Sequence, residues 1–170
     1  MSIATSIDKT CCFIGHRVIS VTDELTAELT AVIERLIADG VTIFNFGSHS
    51  QFDSLCYEIV SNLQKRFPHI QRVHYCAAYE NYTDAGFNDL YEQEIDCEFA
   101  FATTKNSYLA RNKAMIDNSD ICVFYYDKNY LPPQRKHSKR DLVAYQPRSG
   151  TAVAFQYAKN KNKGIINLGQ

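Results

Sequence analysis

Cys11-Cys12-Phe13-Ile14-Gly15-His16-Arg17 is a short apolar run that ends at a glycine and passes directly into a polar, basic turn. It reads as a buried strand followed by a loop. Outward from it, residues 22–38 carry Leu25, Leu29, Val32, Ile33, Leu36 and Ile37 at spacings of three and four, which is one face of a helix. Thr22 supplies an N-cap, Asp23 and Glu24 suit the first turn, and Gly40 suits the stop. Residues 41–46 are a second β-rich run, closed by Gly47. Residues 52–65 then predict a helix whose buried face is Phe52, Leu55, Cys56, Ile59, Val60 and Leu63, and residues 70–76 a third strand.

The same alternation returns near the C-terminus. Residues 108–116 predict a helix, 121–126 a strand, 151–159 a helix and 164–168 a strand. Strands alternating with helices predict an α/β, Rossmann-like three-layer sandwich of about five parallel strands flanked by helices. One domain is expected over residues 1–170. Residues 77–104 are rich in Tyr, Asn, Asp and Glu without a clean period, and read as a loop with one short helix around residues 90–99. Residues 128–149 hold Pro132, Pro133 and Pro147 and read as a long, mobile loop.

The formal net charge is −1, which argues against a broad electrostatic footprint for nucleic acid, so nucleic acid is not the expected partner. The six cysteines, Cys11, Cys12, Cys56, Cys76, Cys97 and Cys122, form no C-x-x-C pair and read as small hydrophobes. The five histidines show no metal-ligand spacing. Neither a metal nor a cofactor is expected. Residues 1–9 lack the apolar core of a secretory signal, and no apolar run reaches membrane-spanning length. The expected location is cytoplasmic, away from membranes; a homo-oligomer is left open.

In a parallel sheet the strand-to-helix loops gather on one edge, where ligands bind. Four segments of this chain belong there. Gly15-His16-Arg17 combines a glycine that admits a ligand close to the backbone, a histidine donor and an arginine that forks to phosphate or carboxylate; the plain alternative is a surface loop with a solvated arginine. Gly47-Ser48-His49-Ser50-Gln51-Phe52-Asp53 places small polar residues before a helix N-terminus, which suits an anion; Asp53 is either a ligand acceptor or a simple helix cap. Arg111-Asn112 is either a ligand clamp or surface charge. Ser149-Gly150-Thr151 offers backbone N–H groups and two hydroxyls as a phosphate cradle. Residues 135–140 form the one dense basic run, either a lid for an anion or a solvated loop tip. Tyr79 and Tyr82 either stack on a base or pack.

Taken together these motifs resemble the YpsA/YoqJ-like proteins, a bacterial family. Phe13-Ile14-Gly15-His16-Arg17 is similar to its F-x-G-H-R start. Phe46-Gly47 through Phe52-Asp53 looks like its G-G-x-x-x-F-D segment, with Ser48 at the second glycine. Arg111-Asn112-Lys113-Ala114-Met115 through Ser119-Asp120 resembles R-N-x-x-M…S-D, and Ser149-Gly150-Thr151 followed by Tyr157-Ala158 resembles the closing G-T…Y-A. The resemblance covers most of the chain in order. It implies membership of the SLOG group of Rossmann-like proteins, which also holds the Lonely Guy phosphoribohydrolases, DNA-processing protein A and sensors of ADP-ribose-type signals.

That resemblance implies a nucleotide-like small molecule as ligand, an ADP-ribose-type signal being one such. Gly15, His16, Arg17, Gly47, Ser48, Asp53, Arg111, Asn112, Ser149, Gly150 and Thr151 would line the site. Arg17 and Arg111 would meet phosphate, and Asp53 a ribose hydroxyl. The Lonely Guy enzymes carry P-G-G-x-G-T-x-x-E; here Pro147-Arg148-Ser149 replaces the first half, and Ala154 stands in the place of the glutamate. Cleavage of a glycosidic bond needs a placed acid or base. The expectation is therefore a sensor or sequestering protein without turnover. The alternative is a nucleotide N-glycosidase, with Asp53, Glu58 and Glu98 as the candidate acids.

Overall fold

The computed structural model describes residues 8–47, 50–77, 97–102, 107–132 and 149–169. In chain order the elements are β1 (Lys9–Gly15), α1 (Asp23–Ala38), β2 (Val41–Phe46), α2 (Gln51–Gln64), β3 (Gln71–Ala77), β4 (Cys97–Ala102), α3 (Ser107–Asp117), β5 (Ile121–Tyr125), α4 (Gly150–Asn160) and β6 (Gly164–Asn167). The strands form one sheet in the order β4-β3-β2-β1-β5-β6, and every neighbouring pair is parallel. This is the expected Rossmann-like α/β arrangement, with six strands among the described residues where about five were expected.

The extra strand corrects the reading of the middle of the chain. Residues 97–99, expected at the end of a short helix, belong to β4, which pairs with β3 from Arg72↔Cys97 to Ala77↔Ala102. Parallel pairing gives this backbone its hydrogen-bond partners. The sequence Cys-Glu-Phe-Ala-Phe-Ala ends in four residues that alternate Phe and Ala with period two. Its glutamate and alanines are good helix formers, and that local preference hid the pattern. Residues 90–96, Ser48, His49, Tyr79, Tyr82, the basic run 135–140 and most of the 128–149 loop lie outside the described residues.

Each face of the sheet carries its own core. Cys11, Phe13, Phe44, Phe46 and Val123 point toward α1 and α2, where they pack with Leu29, Ile33, Phe52 and Val60. Cys12, Ile14, Cys122 and Phe124 point the other way, toward Met115 and Ile116 of α3 and Ala154 and Ala158 of α4. Adjacent residues of β1 therefore serve opposite cores, so the run Cys11 to Ile14 is buried on both faces, as a central parallel strand must be. Thr22 caps α1 as expected, accepting from the Leu25 N–H at 3.1 Å.

Gly15 ends β1 directly beneath Phe52 of α2. A Cβ at position 15 would overlap the Phe52 ring and its Cβ. The absence of a side chain there is thus required by packing of α2 on the sheet, whatever the strand end also does. Gly15→Ala should destabilise the fold by about 1–3 kcal/mol, the scale of overpacking a core. Urea unfolding of the variant checks it, and an unchanged midpoint would mean that Phe52 moves aside freely.

Candidate functional site

The chain runs outward from β1 through β2 and β3 to β4, then returns to β5 on the other side of β1. The direction of winding reverses between β1 and β5, and the crevice at such a reversal is where open α/β sheets bind ligands. The two strands end level, Gly15 opposite Tyr125. Immediately beyond them His16 and Asp127 close the seam.

His16 is 2% exposed. Its backbone N–H reaches the Tyr125 carbonyl at 3.3 Å. The Asp127 N–H donates to His16 Nε2 at 2.9 Å, closer than the Asp127 carbonyl at 3.3 Å. Nε2 is therefore an acceptor, and in the neutral ring the proton resides on Nδ1. Nδ1 is buried and has no hydrogen-bond partner among the described residues. The ring stacks on Tyr130, centroids 3.9 Å apart and planes at 19°. Burial pushes the His16 pKa down, and the contacts with Asp127 only partly oppose it. At neutral pH the site thus presents a neutral, oriented N–H donor.

The helices close around this seam. Ser50 is the N-cap of α2, its hydroxyl accepting from the Asp53 N–H at 3.0 Å. Gln51 ties the helix start to the β1–α1 loop: its N–H donates to the Arg17 carbonyl, and its side-chain oxygen accepts from the Ile19 N–H at 2.9 Å. Ser149 caps α4 in the same manner, accepting from the Ala152 N–H at 3.0 Å. Phe155, one turn further on, packs on Tyr126 at 4.7 Å and holds this end of α4 over β5. Two capped helix N-termini, each a concentration of N–H donors, flank the loops after β1 and β5.

The structure brings Gly15, His16, Arg17, Gly47, Asp53, Ser149, Gly150 and Thr151 to this edge. Arg17 is exposed. Asp53 is fully buried in the first turn of α2; the cap is Ser50, which replaces the alternative of Asp53 as a simple helix cap. Arg111 is 3% exposed, so it is not surface charge. Its Cδ lies 2.9 Å from where a Cβ on Gly47 would stand, and Met115 Sδ is closer still. Gly47 is thus the passage through which α3 reaches the end of β2, with Asn112 half-buried beside Arg111.

Two of the candidate acids are elsewhere. Glu58 is exposed in the middle of α2, facing a groove against α1. Glu98 is the second residue of β4, in register with Val73, toward the amino ends of the strands. Ala154 is 3% exposed and packed in the core with Cys12, Ile14 and Phe124. A carboxylate at that position would enter apolar surroundings, not the crevice.

Arg72, His74 and Asn45 are buried polar residues that the sequence does not single out; Ser119, the partner of Asn45, belongs to the R-N-x-x-M…S-D match. Arg72 of β3 donates to Ser61 Oγ at 2.7 Å and lies 5.3 Å from the Tyr57 ring centroid. His74 is fully buried on the same strand face. Asn45 donates to Ser119 Oγ at 3.2 Å, and Ser119 donates to the Met115 carbonyl at 2.7 Å, joining β2 to the end of α3. Asp127 and Tyr130 were also missed, although the position just after β5 at the reversal was a sufficient signal. The buried thiols are poor nucleophiles. A hydrogen bond with Cys122 and then burial push Cys12 up, and burial foremost pushes up Cys11 and Cys56. Among the described residues no group of three His, Cys, Asp or Glu side chains is placed to hold a metal, and no helix is long and apolar enough to cross a membrane.

The sheet order, the parallel ladders and the crevice at the reversal define a Rossmann-like α/β protein. No family model and no curated protein matches the sequence. Among solved structures the chain is similar to DNA processing protein A from Helicobacter pylori, described for its single-stranded DNA binding mode, at 20% identity and TM-score 0.58. That match covers 95% of this chain and 66% of the other, so the chain spans just under two thirds of that protein's length. It is also similar to the molybdenum cofactor carrier protein of Chlamydomonas reinhardtii, at 9% identity and TM-score 0.53, covering 95% and 77% of the two chains.

Two outcomes follow from this geometry. Because the folded-state pKa of His16 is depressed, the unfolded chain binds its proton first as pH falls. His16 therefore adds no pH dependence above its unfolded value of about 6.5, and below it costs stability until the folded pKa is passed. Urea unfolding at successive pH values should show wild type losing stability through that window and His16→Gln losing less; parallel curves would remove His16 as a cause. Separately, Ala154→Glu should destabilise by roughly 3 kcal/mol or more, because the carboxyl is buried without a partner. Thermal melting within a degree or two of wild type would show that the side chain escapes to solvent.

Proposed function

We propose that this protein binds a nucleotide or nucleotide-derived small molecule at the β1/β5 crevice and holds it without turnover, as a sensor or sequestering protein. The observation that carries this reading is His16: a buried ring whose Nδ1–H is fixed as a donor and finds no acceptor among the described residues. A buried donor left unmade costs about 1–3 kcal/mol, so an anionic or hydroxyl-bearing ligand that accepts from it is favoured. The N-termini of α2 and α4 on either side suit phosphate, and the exposed Arg17 suits its outer oxygens. Asp53 accepts a ribose hydroxyl on this reading.

The absence of turnover is supported by the placement of the acids. Glu58 and Glu98 lie off the edge, and position 154 faces the core. Asp53 alone keeps the N-glycosidase alternative open to experiment. The likeness to DNA processing protein A and to a molybdenum cofactor carrier fits a ligand-binding role for this fold, and the four motif matches favour a YpsA/YoqJ-like member of the SLOG group. Four buried free cysteines suit a reducing, cytoplasmic setting.

Calorimetry with adenosine monophosphate and ADP-ribose tests the proposal. Saturable binding is expected, with the nucleotide recovered intact after denaturation. Arg17→Ala should weaken binding by about 1.5–3 kcal/mol, or roughly 10- to 150-fold, and leave the melting temperature unchanged. Heat from neither nucleotide would overturn the proposal. Free base released in excess over protein, and abolished by Asp53→Asn, would replace it with the glycosidase. Tight binding of a single-stranded oligonucleotide in place of either nucleotide would assign the edge to nucleic acid.

A further inference from the structure

The α1/α2 layer is rich in acids, with exposed Arg35 in the last turn of α1 as the one base within its two helices, and the α3/α4 layer is rich in lysines. On α1 and α2 the exposed acids Asp23, Glu24, Glu28 and Glu58 make no ion pair among the described residues. Arg66 is paired with Glu34 at 2.7 Å, and Lys65 is turned to Asn62; both lie just past the C-terminal end of α2. On the opposite layer lie Lys113 of α3 and Lys159, Lys161 and Lys163 at the end of α4; among the described residues only Lys161 pairs with a carboxylate, that of Asp117, while Lys163 donates to the Asp117 backbone carbonyl at 3.1 Å. That carboxylate is shared between Lys161 at 3.4 Å and the Tyr157 hydroxyl at 3.0 Å. Lys159 and Lys161 are exposed, with Lys161 poised over the Tyr157 ring and Lys159 over Phe155.

Between α1 and α2 runs a groove of about 380 Å³. Its floor is Val21, Leu55, Ile59 and Leu63, and its polar rim is Glu58 and Asn62. The Thr26 and Thr30 hydroxyls beside it are turned back onto carbonyls of their own helix, at 2.9 and 2.7 Å. Among the described residues Glu58 is thus the only charge lining the groove; Val21 leaves 53% of its surface in water, and Val18, three residues earlier in the chain, 63%. An apolar trough with one carboxylate on its rim matches an amphipathic cation: a methylene stem along the floor and an ammonium at the edge. The lysines at the end of α4 have that chemistry, on the opposite face of the same molecule.

We infer that the protein associates head to tail with itself, the α1/α2 groove of one copy receiving the lysine-bearing end of α4 from the next. The contact joins two different surfaces, so it is heterologous and propagates into a ring or an open stack. Charge complementarity sets the partner and the register, and covering the valines supplies apolar burial. Because the ion pairs are at the surface, salt weakens the association.

Sedimentation velocity over a concentration series tests this on the full chain. Wild type should gain mass with concentration at low salt and lose it at about 0.5 M, where screening shortens the range of surface charges to a few ångströms. Glu58→Lys and Lys159→Glu should each stay monomeric at low salt while melting within a few degrees of wild type. An equimolar mixture of the two should associate again, because the unaltered groove of Lys159→Glu meets the unaltered helix end of Glu58→Lys and the reversed groove meets the reversed helix end. Circular dichroism on each variant separates loss of contact from loss of fold. A wild-type monomer at every concentration would overturn the inference, as would association indifferent to both reversals, which would place the interface elsewhere. Folded variants whose mixture stays monomeric would overturn it too.

Discussion

The ring of Phe52 rests on the bare Cα of Gly15, and the position of α2 follows from that contact. It brings the helix N-terminus down onto the end of β1, where Gln51 can bond the backbone on both sides of Val18. Gly47 does the corresponding service on the other face, admitting Met115 and the Arg111 stem of α3 against the end of β2. Two glycines at two strand ends thus let helices from opposite layers converge on one edge. A Cβ at either position would move a helix, and with it the cap and the N–H groups that the helix presents there.

The polar groups buried at this edge are ordered by backbone contacts. His16 is oriented by the Asp127 N–H, and Ser50 and Ser149 spend their hydroxyls on capping. The serine oxygens are thus held in place by the helix turns, and among the described residues the Nδ1–H of His16 has no acceptor. For the proposed ligand this is preorganisation: the donors are already fixed, so little ordering entropy would oppose an acceptor. The aromatic series Phe124, Phe155, Tyr126, His16 and Tyr130 stiffens the same region from the core outward.

Much of this was legible in the sequence, for reasons that can be located. Period 3.6 in α1 and α2, and unbroken apolar runs in β1 and β5, follow from burial on one face or on both, and composition reports burial well. β4 was not legible because its glutamate and alanines favour helix locally, whereas its strand state is imposed by β3 from outside. The Ser50 cap is legible in the sequence: Ser50-Gln51-Phe52-Asp53 has the serine and the acid at capping-box spacing. The packing roles of Gly15 and Gly47 were not legible, because sequence shows that a backbone is bare, not what comes to lie on it. Arg111 is the same case. Its type suggested a ligand clamp or a surface charge, and only the packing of α3 on Gly47 shows it to be buried.

The strand order also dictates when the crevice comes into being. β1 is the first strand to be made, yet it lies in the middle of the sheet, and its β5 neighbour follows about 110 residues later: Thr10 is held by Asp120 across a separation of 110. A nascent chain can close β1, α1, β2, α2 and β3 early, but until α3 and β5 arrive the Cys12 and Ile14 face of the sheet stays bare to water. Contacts so distant along the chain slow folding and prolong the life of sticky intermediates. The seam that His16 bridges is therefore assembled late, and a half-made chain has a nearly complete α1/α2 core long before the β1/β5 crevice exists.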